Sequence, residues 1–508
     1  MGRGNEQQMD LTTQQEALIK YTLEGKKSFV GLARAGTGKT FTLKLAAEAY
    51  HKKFPDKVIQ GMAFNRIISQ ALAEAIPFAP IKTANAWGHG GWIQRSGKNL
   101  ELEVKKTLNI IKSLNSNDDF SDLKRAISIC KAWGLVPKNI PAEPISYLPD
   151  EIESYKFLFD NYNIDTADSE DPISLIREVL RQSIMLGWKG VIDFDDQLYL
   201  SVIYKASFPK ADLLLVDEVQ DLSPIQRYMS KLMLKPDGRL FALGDDCQAI
   251  YGFRGADRDS ISKIIEEFDC EVLKLTTSFR CPKEVVKAAQ AFVPDIEPFE
   301  SNPDGRVVEL PVVAKLVDIL NKNKDRKVAI LCRNNAPLIS AALNLIRNNI
   351  GAIILGRDLE KGLIRIIDQQ RASSLTELNS KLWNFIAMQQ DILIKKGAVQ
   401  RAALLEDKGN CLEILILNEI SSSDPTISGL KTRIKALFSD KIDSKPVLLS
   451  TIHKAKGMEW PVVFILDKSL MPSKFAKTPA EIQQENNLHY VAITRAQKTL
   501  VYIKSENI

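Results

Sequence analysis

Along this chain, short apolar runs alternate with longer stretches in which apolar residues recur every three or four positions. The runs 28–33, 58–64, 213–216, 240–243 and 272–275 are apolar at successive positions. That is the pattern of strands buried on both faces, and the intervening helical periods predict crossover helices over a parallel sheet. A second group, 328–332, 352–355, 447–450, 462–466 and 500–503, has the same pattern. Two α/β domains are therefore predicted.

Each group is interrupted. Residues 87–190 are charged and mostly helical in period, broken by the polar stretch 115–122 and by Pro137, Pro141, Pro144 and Pro149. Residues 367–445 also predict helices, with a polar break at 421–428. The expected organisation is one domain from 1–86 and 191–276 with insertion 87–190, and another from 277–366 and 446–508 with insertion 367–445. No repeat of 20 to 50 residues is visible.

Composition narrows the class. The 508 residues carry 68 Lys+Arg against 63 Asp+Glu, a net charge of +5. So small an excess does not argue for nucleic acid by itself; a basic surface has to come from clustering. None of the six cysteines is spaced as CxxC and the four histidines do not gather near them, which argues against a zinc or Fe–S module. No run approaches the ~18 apolar residues of a membrane span, and residues 1–6 lack an apolar signal core. The expectation is a cytoplasmic protein with no membrane partner.

The sharpest chemical signal is Ala33-Arg34-Ala35-Gly36-Thr37-Gly38-Lys39-Thr40, between a predicted strand and the helical pattern 41–50. This is the setting of a phosphate-binding loop. Amides from Ala35 to Thr40 would surround a phosphate chain at a helix N-terminus. Lys39 would reach the β- and γ-phosphates, and the Thr40 hydroxyl would bind Mg²⁺. The first glycine of the general pattern is here Ala33. The apolar run 213–216 ends in Asp217-Glu218. Asp217 suits Mg²⁺, and Glu218 suits orienting and deprotonating a water. ATP and Mg²⁺ are the expected cofactors.

Two further clusters admit two readings each. Tyr251 and Phe253 beside Arg254 suit stacking on single-stranded bases with a phosphate contact, or else are core. Asp193, Asp195 and Asp196 suggest a metal site, or caps and polar contacts at a domain junction; the second is preferred.

Several segments then occur in a telling order: Asp217-Glu218-Val219-Gln220-Asp221; Gly244-Asp245-Asp246-Cys247-Gln248 running on to Phe253-Arg254-Gly255; Thr277-Ser278-Phe279-Arg280; Thr451-Ile452-His453-Lys454-Ala455-Lys456-Gly457-Met458-Glu459-Trp460; and Tyr490-Val491-Ala492-Ile493-Thr494-Arg495-Ala496. This set resembles the UvrD/Rep/PcrA group of superfamily 1 DNA helicases over nearly the whole chain. The run Ala63-Phe64-Asn65 is closer to F-box helicase and phage-type relatives.

The resemblance implies two RecA-like motor domains with ATP between them. It places Gln15 and Phe279 at adenine and Glu459 near the ribose. It makes Gln248 the γ-phosphate sensor and Arg280 and Arg495 the arginine fingers. It places Phe64, Asn65, Thr83, Asn85, Tyr251, Phe253, Arg254, Arg333, Asn335, Thr451 and His453 on DNA. The implied activity is ATP-dependent 3′→5′ translocation and unwinding on single-stranded DNA and single-strand/duplex junctions. Protein partners are expected at the helical insertions. The other readings are a translocase that needs a partner and an ATP-dependent DNA-binding switch. The second insertion is smaller than is usual in this group.

Overall fold

The computed structural model describes residues 11–63, 65–114, 121–162, 164, 171–250, 259–310, 314–321, 327–395, 399–438 and 446–504. The chain divides into two compact units, Met1–Thr277 and Ser278–Ile508.

The first unit is built on a six-stranded sheet. Its order is Ile81–Thr83, Ile59–Ala63, Ala211–Val216, Leu234–Gly244, Phe29–Ala33 and Glu271–Leu275. Every neighbouring pair is parallel. The continuous apolar runs have a direct cause. Successive side chains point to opposite faces, and each face has its own core. Leu213, Leu215, Phe241 and Leu243 enter one apolar cluster. Leu214, Val216, Leu240 and Ala242 enter the other. Because the strands are parallel, all their carboxyl ends lie on one edge, where loops to the following helices carry ligands in open α/β sheets.

The helices Lys106–Leu114, Ser121–Ala132, Ile152–Tyr162 and Pro172–Trp188 form a module with its own core around Ile111, Tyr155, Leu158 and Leu180. The expected cut at 86/87 falls inside the Ala84–Ser96 helix. A buried charge network joins this module to the sheet domain. Lys106 Nζ lies 2.6 Å from Asp196 Oδ2, and Lys131 Nζ lies 2.8 Å from Asp196 Oδ1 and 3.0 Å from Asp193 Oδ2. Thr107 and Ser183 donate hydroxyl hydrogen bonds to the same two carboxylates. Asp193 and Asp196 also form the capping box of the Phe194–Ile203 helix. Burial works against the Lys131 ammonium, but Asp196 and Asp193 outweigh it and raise its pKa. Asp193 and Asp196 thus act as caps and junction contacts, although burial still lowers the pKa of Lys106.

The second unit repeats the plan. Its sheet runs Arg306–Leu310, Ala496–Ile503, Trp460–Leu466, Val328–Cys332, Val447–Thr451 and Ala352–Ile354, again parallel. The helices Leu375–Lys395, Val399–Ile420 and Ile427–Leu437 follow the Arg357–Gln370 helix. Here the expected cut at 366/367 meets a continuous helix. Leu378, Leu382, Leu412, Leu415 and Leu430 share one apolar cluster with the sheet residues Ile330, Leu449 and Phe464. This insertion is therefore not separately cored. Among the described residues all six cysteines are free, and no helix is long and apolar enough to cross a membrane.

Candidate functional site

The Phe29–Ala33 strand delivers the chain into a turn closed by two left-handed glycines, Gly36 (φ 76°) and Gly38 (φ 74°). A side chain at either would be strained. Gly38 begins the Lys39–Lys53 helix. The loop is braced from within: Thr37 Oγ1 donates to the Arg34 carbonyl at 2.9 Å, and Thr42 Oγ1 donates to the Gly38 carbonyl at 3.0 Å. Thr40 is exposed on the first helical turn.

Lys39 Nζ donates to both carboxylate oxygens of Glu218, each at 3.1 Å. Burial disfavours its charge, but Glu218, Asp217 and Asp245 together raise its pKa. Asp217 follows the Ala211–Val216 strand and is buried, its Oδ1 accepting from the Glu218 amide at 2.9 Å. Burial, then the Glu218 charge, pushes its carboxyl up to about 6. Glu218 sits in the left-handed region at φ 53°. Such strain in a non-glycine residue is retained where surroundings over-determine it, here at a carboxylate held on a lysine.

A chain of hydrogen bonds leads away from this pair. Gln220 Nε2 donates to Glu218 Oε2. Gln220 Oε1 accepts from the Asp245 amide at 3.1 Å. Asp245 Oδ2 accepts from Gln248 Nε2 at 2.7 Å, while Arg34 Nη1 lies 3.2 Å from its other oxygen. Burial raises the Asp245 pKa. Glu218 is thereby connected to Gln248 through residues of two loops on the carboxyl edge. Gln15 belongs to the rim of this site. It completes a capping box with Thr12, and its Nε2 donates to Thr42 Oγ1 at 3.2 Å.

The DNA candidates of the first unit lie on the same edge. Asn65 caps the Arg66–Ala75 helix, accepting from the Ile68 amide at 2.9 Å. Thr83 caps the Ala84–Ser96 helix through the Ala86 amide. Asn85 Nδ2 donates to the Phe194 carbonyl at 2.8 Å. Phe64, Tyr251, Phe253 and Arg254 lie outside the described residues.

In the second unit two of the expected residues engage each other and others have different partners. Arg280 forms an ion pair with Glu459, which also accepts from Gln497 Nε2 at 2.8 Å. Phe279 packs on Phe299 with ring centroids 4.7 Å apart. Arg495 is buried, its guanidinium donating to the carbonyls of Val491 and Met458. Thr451 is buried at the start of the Ile452–Ala455 helix, and His453 is half-buried within it. Arg333 and Asn335, expected on DNA, each have a partner within the unit. Arg333 clamps Glu485 in a fork, Nη2–Oε1 2.8 Å and Nε–Oε1 3.0 Å. Asn335 binds Asp407 through its amide at 2.9 Å and its side chain at 2.8 Å. Both side chains brace the framework here. Sequence reasoning missed Asp407 and Gln220. Asp407 has no local signal because its partner Asn335 lies far away in the chain, and Gln220 shows its role only when its second partner, Asp245, is brought from another loop.

Comparison with known proteins adds an independent line. The chain matches the model for the UvrD/REP helicase N-terminal domain over residues 96–269 and the UvrD-like helicase C-terminal domain over 363–507. An AAA domain model matches 10–112. It is 25% identical to F-box DNA helicase protein 1 of Schizosaccharomyces pombe over 97% of this chain and 57% of that protein. It is 23% identical to F-box DNA helicase 1 of Gallus gallus over 98% of this chain and 49% of that protein. With ATP-dependent DNA helicase PcrA of Bacillus subtilis it shares 22% identity over 61% of this chain and 58% of the relative. The chain thus spans about half the length of these relatives.

Proposed function

We propose, for a chain that belongs to the UvrD/Rep/PcrA-like superfamily 1 helicases, that it is an ATP-driven motor moving 3′→5′ on single-stranded DNA and unwinding duplex at a junction. The observation that carries this reading is the hydrogen-bonded line Lys39–Glu218–Gln220–Asp245–Gln248. It joins the phosphate-reading lysine to a residue three positions before Tyr251.

The steps follow from these contacts. Incoming phosphates meet the amides of 35–40 and draw Lys39 from Glu218. Glu218, relieved of its cation, can orient a water and accept its proton. The Thr40 hydroxyl and the Asp217 carboxylate are hard oxygen donors, a set suited to Mg²⁺. When bound, that ion supplies charge neutralisation on the phosphates. A changed hydrogen bond at Glu218 is felt by Gln220 and then by Asp245 and Gln248, so the strand-contacting segment senses the nucleotide. Arg280 and Arg495 serve as planar cations for charge on the transferred group, which requires each to exchange its present partner. Gln15 and Phe279 bind adenine in this reading, and Glu459 the ribose. On the DNA side, the capped helix starts at Asn65 and Thr83 offer positively polarised ends to backbone phosphates. Tyr251, Phe253, Arg254, Asn85, Thr451 and His453 complete the proposed track, with Arg333 and Asn335 holding it in shape.

The test pairs ATP turnover with strand separation on matched 3′-tailed and 5′-tailed duplexes. Unwinding of the 3′-tailed substrate alone is expected, with both readouts lost in Lys39→Ala. Unwinding of only the 5′-tailed substrate would overturn the polarity. DNA-stimulated turnover with no unwinding would restrict the activity to translocation.

A further inference from the structure

A cluster of cations in the second unit lies apart from every residue used above. Lys361, Arg365 and Arg371, from the Arg357–Gln370 helix and its end, face Lys435 of the Ile427–Leu437 helix across an open cleft of about 710 Å³. All four are exposed. Two carboxylates, Glu360 and Asp368, share the lining. Asp368 is already paired with Lys431 at 2.5 Å. Outside the lining, the Val399–Ile420 helix brings Lys408 against the Arg357–Gln370 helix. The Lys408 stem lies so close to Gly362 that an added Cβ there would sit 3.5 Å from Lys408 Cε. Among the described residues, Lys361, Arg365, Arg371, Lys408 and Lys435 form no ion pair.

Four cations from two helices face only two carboxylates, one of which is already paired, and their mutual repulsion is relieved by water, salt or a bound anion. Nearby, burial lowers the Lys408 pKa, and the charges of Arg365 and Arg401 lower it further. The cleft is also within the ~300–1,000 Å³ range of ligand sites.

We propose that this cleft is a phosphate-binding site that takes several linked phosphate groups, with Arg365 and Lys361 as its principal contacts and Arg371 and Lys435 completing its wall. The guanidinium of Arg365 suits a bidentate grip on phosphate oxygens, and the lysines act as point charges. Linked phosphates come either from a nucleic-acid backbone or from a free polyphosphate. The inference goes beyond the motor reading and does not rest on it, since no residue of the nucleotide site contributes.

The test is amine-labelling of the full chain followed by peptide mass spectrometry, with inorganic tripolyphosphate or a 20-nucleotide DNA strand as probe. Several-fold protection of Lys361 and Lys435 is expected with at least one probe. Protection by DNA alone assigns the backbone, by tripolyphosphate alone a free polyphosphate, and by both the shared chemistry. No protection of these lysines with either probe at millimolar concentration overturns the proposal, whatever happens at Lys39. Loss of protection at Lys39 alone would count against the nucleotide site instead. A second measurement uses Lys361→Gln/Arg365→Gln, both exposed and so compatible with folding. Whichever probe protects should bind about tenfold more weakly to this variant near 0.1 M salt, and for DNA the log–log salt slope should become shallower by about one to two. Unchanged affinity in the variant also overturns the proposal.

Discussion

Replacing Glu218 by Gln tests the central geometry, because it separates binding from turnover. Lys39 Nζ is held by both Glu218 oxygens at 3.1 Å, with side chains only 14% and 19% exposed. ATP must draw the ammonium away from that carboxylate before the phosphates gain it. A charge-assisted hydrogen bond contributes about 1.5–3 kcal/mol. Glutamine keeps one weaker contact, so most of that competition disappears. Nucleotide affinity should then rise by about 1–2 kcal/mol, roughly 5–30-fold. Turnover should fall by about 10²–10⁴, because the amide cannot accept the proton of the attacking water. A fluorescent ATP analogue titrated into parent and variant, with phosphate release followed in parallel, measures both. If the variant binds nucleotide no more tightly, Lys39 is not held back by Glu218. If it turns over ATP at the parental rate, Glu218 is not the base.

Three other perturbations probe separate parts of the molecule. Asp217 titrates at about 6 before nucleotide binds. Uptake of Mg²⁺–nucleotide near pH 6 should release about half a proton, detectable by calorimetry in buffers of different ionisation heat and absent in Asp217→Asn. Lys131→Met leaves two buried carboxylates facing Lys106 alone and should cost about 3–5 kcal/mol by denaturant midpoint. Adding Asp193→Asn should recover part of the loss, and a cost near zero would show that the network does not hold the module. His489 is lowered from 6.5 to about 4, first by burial and then by the Lys468 charge. The unfolded chain therefore takes up a proton that the fold refuses. Stability should fall as the pH drops from about 6.5 towards 4, by up to about 3 kcal/mol. His489→Phe, a ring for a ring beside Phe292, should flatten that dependence; an unchanged pH profile would refute it.

The strands, the phosphate loop and the acid pair at 217–218 were legible along the chain because each is a local signal. Successive apolar residues report two covered faces, and GTGKT after a strand reports a turn that only glycine makes without strain. Ordered motifs carried the family likeness for the same reason, since each is a short contiguous run. Other features depended on which distant segments become neighbours. Lys39 meets Glu218 because the sheet sets their strands one apart, with Leu234–Gly244 between them. The aspartates at 193 and 196 were readable as caps, but their lysines at 106 and 131 were not, since those arrive on other helices. The partners of Arg333 and Asn335, Glu485 and Asp407, could not be read along the chain, since they arrive from distant segments. Likewise the pattern of 357–370 continues through a boundary that composition suggested, because the apolar face of that helix belongs to the same core as the sheet. Periodicity and turn chemistry are set within a few residues of each position, and the sequence alone determines them. Charge pairing, shared cores and the cationic cleft are set by packing between segments far apart in the chain, and only the tertiary structure decides those.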